Sequence, residues 1–239
     1  MNLLALETST HACSVALQCG ERRFERHVVQ AKEHTRLLIP MIEEALLEGG
    51  ASLGELDAIV LGNGPGSFIG MRIGASVAQG LAYGAGLGIV PVSSLAAVAA
   101  EAFHLTEAEY VMVAQDAHMS EVYLACFMRG EGGLPVPHGE TTLQPIRRIE
   151  QFAAVAAERI HVAGGGWQRH PQLLQLNEDR IADVLGIQFP RASFLLGAGV
   201  SAFRSNGMLP PDQLVPDYVR SKVATAAAPA ERHRRDIQH

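Results

Sequence analysis

Gly62-Asn63-Gly64-Pro65-Gly66-Ser67-Phe68-Ile69-Gly70-Met71-Arg72-Ile73-Gly74 follows the aliphatic run Ala58-Ile59-Val60-Leu61 and precedes a small-residue segment of helical pattern, 73–83. The run reads as a buried strand and the segment as a helix, so the glycine-rich stretch is a strand-to-helix turn. Such a turn can present backbone N–H groups at a helix N-terminus to an anion such as phosphate, which makes Gly64, Gly66 and Ser67 candidate contacts. Its other reading is a tight turn whose glycines let the helix pack closely. Two nucleotide signatures are excluded. No Lys follows a glycine, as a Walker A loop requires, and Ser67 and Ile69 occupy the third-glycine positions of Gly-x-Gly-x-x-Gly.

The 239 residues suit one large domain or two small ones. With 48% hydrophobic and 5% aromatic residues, the core is aliphatic and sizeable. The apolar stretches are too short to cross a bilayer, and residues 1–6 lack the basic flank and cleavage site of a signal peptide. Cys13, Cys19 and Cys126 are odd in number and have no Cys-x-x-Cys spacing, which reads as reduced thiols of a cytoplasmic protein. The net charge of −6 disfavours autonomous nucleic-acid binding. Arg220, Lys222, Arg232, Arg234 and Arg235 make the last residues locally basic, either a solvated, frayed tail or a local nucleic-acid contact.

Working outward from the turn, residues 2–7, 12–18 and 22–29 read as an antiparallel meander, 32–48 as a helix containing Pro40 and stopped by Gly49-Gly50, 58–62 and 89–92 as strands, and 93–103 as a helix. The pattern then recurs. Strands are expected at 111–116, 121–128 and 140–143, with a loop at 130–139. A helix is expected at 146–158, a strand at 161–163, a second glycine turn at 164–167, and a final helix at 192–205. Glu7 and Asp116 end equivalent strands. This is an α/β chain built from a duplicated βββαβα unit, two lobes with a cleft between them. The lobes are placed at 1–103 and 104–239, with the last helix packing back between them.

Glu7-Thr8-Ser9 closes a strand beside a tight turn. Thr8 and Ser9 either donate to a phosphate or satisfy the turn's own backbone. Glu7 and Asp116 facing one another would suit metal-assisted group transfer. No two of the ten histidines are four apart, so His-x-x-x-His is absent, and no Ser lies in Gly-x-Ser-x-Gly. His34 opens a helix, and Ser67 is placed to cap the next one. Gly70, Gly74 and Ala78 fall four apart. That stripe suits packing within the chain or against a partner's helix.

Leu4-Ala5-Leu6-Glu7-Thr8-Ser9-Thr10 with Cys13-Ser14-Val15-Ala16-Leu17, His34-Thr35 with Leu38 and Pro40, Gly64-Pro65-Gly66-Ser67-Phe68, Arg72-Ile73-Gly74, Asp116-Ala117 with Glu121-Val122-Tyr123, Gly164 with Gly166-Trp167, and Pro216 with Tyr218-Val219-Arg220 together resemble the bacterial TsaB (YeaZ) family over almost the whole chain. The resemblance implies an ASKHA (actin/Hsp70-like) fold of two RNase H-like lobes, with mixed sheets flanked by helices. It implies a subunit of the machinery that places threonylcarbamoyl on adenosine 37 of tRNAs reading ANN codons. The implied partners are TsaD, which carries the catalytic metal on a His-x-x-x-His motif, the ATPase TsaE, tRNA through the complex, and a second copy of the chain when TsaD is absent.

In that family the helices equivalent to 33–48 and 68–83 form the partner surface. The resemblance therefore assigns Leu37, Leu38, Met41, Ile42, Gly70, Met71, Gly74, Ala75 and Ala78 to it. It implies no catalytic residue, metal or cofactor on this chain, the ATP/ADP and metal being used by the partners. Ile69 and Met71 stand where the family commonly has Thr and Val, and Glu7 where Asp is usual. A nucleotide- and metal-dependent transferase acting alone through Glu7, Thr8, Ser9 and Asp116 is the alternative. A peptidase lacks any nucleophile or metal constellation.

Overall fold

The computed structural model describes residues 1–157, 159–205 and 207–219. Strands β1 (Asn2–Glu7), β2 (Ala12–Cys19) and β3 (Arg22–Val29) form the opening meander. Helix α1 (His34–Gly49) leads to β4 (Ala58–Gly62), α2 (Phe68–Ala85), β5 (Gly88–Val92) and α3 (Ser94–Leu105). The five strands lie in the order β3-β2-β1-β4-β5, with β1, β4 and β5 parallel. Alternation along β1 sets the layers. Leu4 and Leu6 pack with Leu38, Met41, Ile42, Ala75 and Ala78 under α1 and α2, while Leu3 and Ala5 face the opposite side. Helix α1 runs through Pro40, which lies on its solvent face. It ends at Gly50, whose left-handed backbone (φ 65°) turns its N–H onto Leu46 and Leu47 carbonyls.

The second half contains β6 (Tyr110–Asp116), β7 (Glu121–Arg129), β8 (Pro135–Pro137), β9 (Thr142–Pro145), β10 (Ile160–Ala163), α4 (Gly165–Arg169), α5 (Pro171–Leu176), β11 (Ile181–Val184) and α6 (Leu195–Arg204). Its order, β8-β7-β6-β10-β11 with β9 also on β7, repeats the connectivity of the first sheet: a central strand, an antiparallel hairpin, then parallel neighbours. The duplication is therefore present in the topology, and the chain has the α/β, two-lobed RNase H-like arrangement of the ASKHA fold.

The helix expected at 146–158 is replaced by a single 3-10 turn, Glu150–Ala154. Ile149, Phe152 and Val155 are buried at a spacing of three, which fits three residues per turn rather than 3.6. The Arg180 guanidinium takes the Phe152 and Ala157 carbonyls that an α-helix would bond internally. Strand β8 lies within the expected loop 130–139. Helix α5 and strand β11 lie between the second glycine turn and the last helix, where the sequence pattern predicts no element.

Two helices cross over between the sheets. α3 follows the first sheet in the chain, but its Leu95, Val98, Ala99, Ala102 and Phe103 pack on Val111, Val113, Ala125 and Phe127 of the second. α6 follows the second sheet, but Leu195 and Leu196, with Ala192 just before, cover Leu3, Ala5, Val60 and Val90 of the first. From α6 the segment 207–219 runs back over the first lobe as a strap. Leu209 bridges Ile89, Leu214 enters the first core, and Gln79 donates to the Pro211 carbonyl at 2.8 Å. Asn63 donates to Val215 at 3.0 Å and accepts from Asp217 N–H at 3.0 Å. The basic residues Arg220, Lys222, Arg232, Arg234 and Arg235 lie outside the described residues. Among the described residues no helix is long and apolar enough to cross a membrane.

Candidate functional site

The Glu7-Thr8-Ser9 turn and the glycine row form one packed unit. A β-carbon on Gly62 would lie 1.9 Å from Glu7 Oε2, on Gly66 2.2 Å from Ser9 O, on Gly70 2.1 Å from Thr8 O, and on Gly74 2.3 Å from Thr8 Oγ1. These glycines, four apart, leave the groove into which the turn lies. The small-residue stripe therefore packs within the chain. Thr8 is fully buried and its hydroxyl donates to the Gly70 carbonyl at 2.8 Å. Ser67 caps α2 as the sequence predicts, its Oγ accepting from Gly70 N–H at 3.3 Å. The N–H groups of Ser67 and Gly64, which a phosphate would use, donate instead to Ser9 O at 2.6 Å and Ser94 Oγ at 3.1 Å.

Glu7 is completely buried, and its Oε1 accepts from Ser9 N–H at 2.6 Å. Burial raises its pKa, and hydrogen bonds from Ser9, Ser94 and Thr8 offset only part of that rise. A carboxyl so enclosed does not face a cleft. Asp116 does. It borders two adjoining cavities of about 370 and 430 Å³ between the lobes, which share Gly66, Ser67, Asp116 and His118 in their walls. Ser9, Thr10 and His11 line the larger cavity from the first lobe, Gln168 and Arg169 from the second. Of the five residues expected to touch a phosphate, Ser9, Gly66 and Ser67 thus reach the cleft, while Thr8 and Gly64 are turned into the core.

Burial pushes the Asp116 carboxyl up. Hydrogen bonds from His170 Nε2 (2.9 Å) and His118 N–H (3.1 Å) more than offset it and hold the group below its ordinary range. The turn that follows has three consecutive non-glycine residues in the left-handed region, His118 (φ 61°), Met119 (53°) and Ser120 (58°). That is a strained conformation, and it carries His118 and Met119 to the cleft wall. Among the described residues no three His, Cys, Asp or Glu side chains are grouped so as to hold a metal ion.

The helix pair α1/α2 is arranged differently from its sequence reading. Leu38, Met41, Ile42, Gly70, Met71, Gly74, Ala75 and Ala78 are buried in this chain's own core, and Leu37 is half-buried. Outward at the N-terminal half of the pair are Ile39 and Ile69, 41% and 70% exposed, with Ile73 and Val77 half-buried beside them; Leu47 and Tyr83 are exposed further along the same helices. They line a groove of about 420 Å³ with Thr35, Phe68 and Arg72. The signal was present in the sequence: Ile69, Ile73, Val77 and Leu81 recur at four, one position behind the Gly70, Gly74, Ala78, Ala82 stripe.

At the groove's end the Arg72 guanidinium stacks 3.7 Å over the Phe68 ring, and its Nε donates to Tyr218 Oη at 3.0 Å. Phe68 and Ile69 belong to the walls of both the groove and the smaller cleft cavity.

Residues 28–161 match the family model described as TsaD, tRNA N6-adenosine threonylcarbamoyltransferase. Two relatives described as tRNA threonylcarbamoyladenosine biosynthesis protein TsaB align with nearly the whole chain. The Haemophilus influenzae protein is 34% identical over 96% of this chain and 98% of the relative, and the Escherichia coli protein is 36% identical over 97% and 100%. A solved structure of YeaZ from Pseudomonas aeruginosa superposes with a TM-score of 0.82 at 34% identity, covering 91% of this chain and 99% of that one. A second Pseudomonas aeruginosa structure, described as similar to peptidase YeaZ, gives 0.84 at 35% identity over 92% and 99%.

Proposed function

This chain belongs to the TsaB (YeaZ) family and takes part in tRNA threonylcarbamoyladenosine biosynthesis; we propose that it acts there as a scaffold subunit and not as the transferase. In this reading it pairs with TsaD along the α1/α2 groove, the pair recruits the ATPase TsaE, and tRNA is met through the complex in the cytoplasm. Without TsaD the same groove pairs two copies of this chain. ATP/ADP and metal are used by the partner subunits.

The observation that carries the scaffold role is the enclosure of Glu7 and Thr8. A metal-assisted transferase would present this carboxylate and hydroxyl to its cleft. Here Glu7 lies against Gly62 and Ser94, and Thr8 is bonded to α2. The interface reading is moved from the inward residues to Ile39, Ile69, Ile73 and Val77. Among the described residues nothing covers this apolar wall, and it gains from removal from water.

The test is threonylcarbamoyl transfer to tRNA in a reconstituted mixture, with this chain omitted, added with TsaD and TsaE, or added without TsaD. Activity that requires both this chain and TsaD supports the scaffold. Activity of this chain without TsaD overturns it and returns the chemistry to Asp116 and Ser9 in the cleft.

A further inference from the structure

Three features meet at one point. The groove on α1/α2 ends at Phe68, Ile69 and Arg72. The smaller cleft cavity is walled by Phe68, Ile69, Asp217 and Tyr218 on one side and by Ala117, Met119 and Tyr123 on the other. The strap 207–219 is fixed to the first lobe along its length, then crosses. Tyr218 meets the Phe68 ring at 5.6 Å between centroids, and Val219 packs on the second-lobe core that contains Ala117 and Tyr123. The end of the strap thus spans the cleft mouth, held by the Phe68 ring and by the Arg72 hydrogen bond to Tyr218 beyond the Asn63 contacts.

We propose that the Arg72–Tyr218 contact is a latch that couples partner docking in the groove to the seating of the strap across the cleft. This coupling rests on the groove being the partner surface. The two states are the strap end seated on Phe68 and Arg72, and the strap end released. Arg72 is exposed in the free chain, so water weakens its hydrogen bond to Tyr218, the contact that joins α2 to the strap end. A partner covering the groove excludes that water, and a hydrogen bond from a charged donor to Tyr218 strengthens when desolvated. Docking therefore favours the seated strap. By reciprocity the seated strap raises partner affinity by the same factor, about fivefold for a hydrogen bond worth about 1 kcal/mol.

Tyr218 does not line the groove, so it separates the latch from the docking surface. Tyr218→Phe keeps the ring against Phe68 and removes only the acceptor for Arg72. The experiment is amide hydrogen exchange of the full chain, alone and saturated with TsaD, together with TsaD affinity by titration calorimetry, for wild type and Tyr218→Phe. The expected result is slowed exchange across 207–219 on TsaD binding in the wild type, no such slowing in Tyr218→Phe, and TsaD binding about fivefold weaker in the variant. Unchanged thermal stability of the free variant would separate this from general loosening. TsaD binding that leaves strap exchange unaltered in the wild type, or equal affinity of the two proteins, overturns the latch while leaving the scaffold reading intact. Failure of TsaD to bind the wild type at all overturns the scaffold reading and the latch with it.

Discussion

Gly74→Ala, a change of one methyl group, should destabilise this protein although it places a better helix former in α2. The added carbon would stand 2.3 Å from Thr8 Oγ1 and 3.3 Å from Leu61 Cδ1. Leu61 can rotate, but Thr8 is fully buried at a turn whose carbonyl also touches Gly70. Overpacking of this kind costs about 1–3 kcal/mol. Displacing the Thr8 hydroxyl from the Gly70 carbonyl adds about 1 kcal/mol. Ala in place of Gly in a helix offsets about 0.8–1 kcal/mol. The net is a loss of about 2 kcal/mol, or about 4–8 °C in Tm for a chain of this size.

Urea unfolding followed by circular dichroism measures it. Thr8→Ala removes the colliding oxygen and leaves Thr8 Cβ 3.6 Å from the new methyl, an ordinary contact. The double variant should therefore be more stable than the sum of the two singles by about 1–2 kcal/mol. Gly80→Ala, six residues along the same helix where an added carbon meets nothing within 4 Å, should stabilise by about 0.8–1 kcal/mol. A stable Gly74→Ala, or additive behaviour in the cycle, would refute the account of the glycine row as a seat for the Thr8 turn.

Glu7→Gln keeps the acceptor for Ser9 N–H and removes the ionisation. Because burial raises the folded pKa of Glu7, the folded state holds its proton more tightly than the unfolded chain. Wild-type stability then falls as pH rises from the ordinary value of 4.5 through the raised one, and the variant should lack that fall in pH-dependent denaturation. Asp116 has the opposite sign. Its depressed pKa contributes stability above the ordinary value of 3.8 that is lost as pH falls through the folded value, so Asp116→Asn should flatten the acid limb of the same curve. Ile69→Glu, at an exposed site, should leave the fold unchanged and weaken the TsaD complex more than tenfold by size exclusion or calorimetry, since a charge would enter an apolar wall. Burial pushes the Cys13 and Cys126 thiols up to about 11, so alkylation at neutral pH followed by mass spectrometry should mark half-buried Cys19 first.

What the sequence made legible follows from where local and global signals agree. The strands of both sheets alternate or run apolar between turns, and their order repeats, so the two-lobed fold could be read from Glu7 and Asp116 ending equivalent strands. The 146–158 segment misled because Ile149, Phe152 and Val155 satisfy a period of three, close enough to 3.6 over six residues to pass for a helix. What decided it was Arg180, a distant guanidinium that no local pattern reveals. The site was harder to read. Small residues at a spacing of four say that something approaches α2 closely. They do not say whether it is a partner's helix or this chain's own Thr8, and only the chain's path settles that. The outward stripe Ile69, Ile73, Val77 was in plain view but lay beside a more conspicuous one.

The crossing of α3 and α6 between the sheets bears on how this protein is made. After residue 92 leaves the ribosome the first sheet is complete in its strands, yet the face formed by Leu3, Ala5, Val60 and Val90 waits for Leu195 and Leu196. At about 5–20 residues per second that wait lasts roughly 5–20 s. Through that interval the nascent chain carries an aliphatic face with only Ala97 of α3 against it, a surface that a chaperone could hold. A fragment ending after α3 should be insoluble alone and rescued by co-expression of the remainder. The two halves of this duplicated protein are thus structural repeats but not independent folding units.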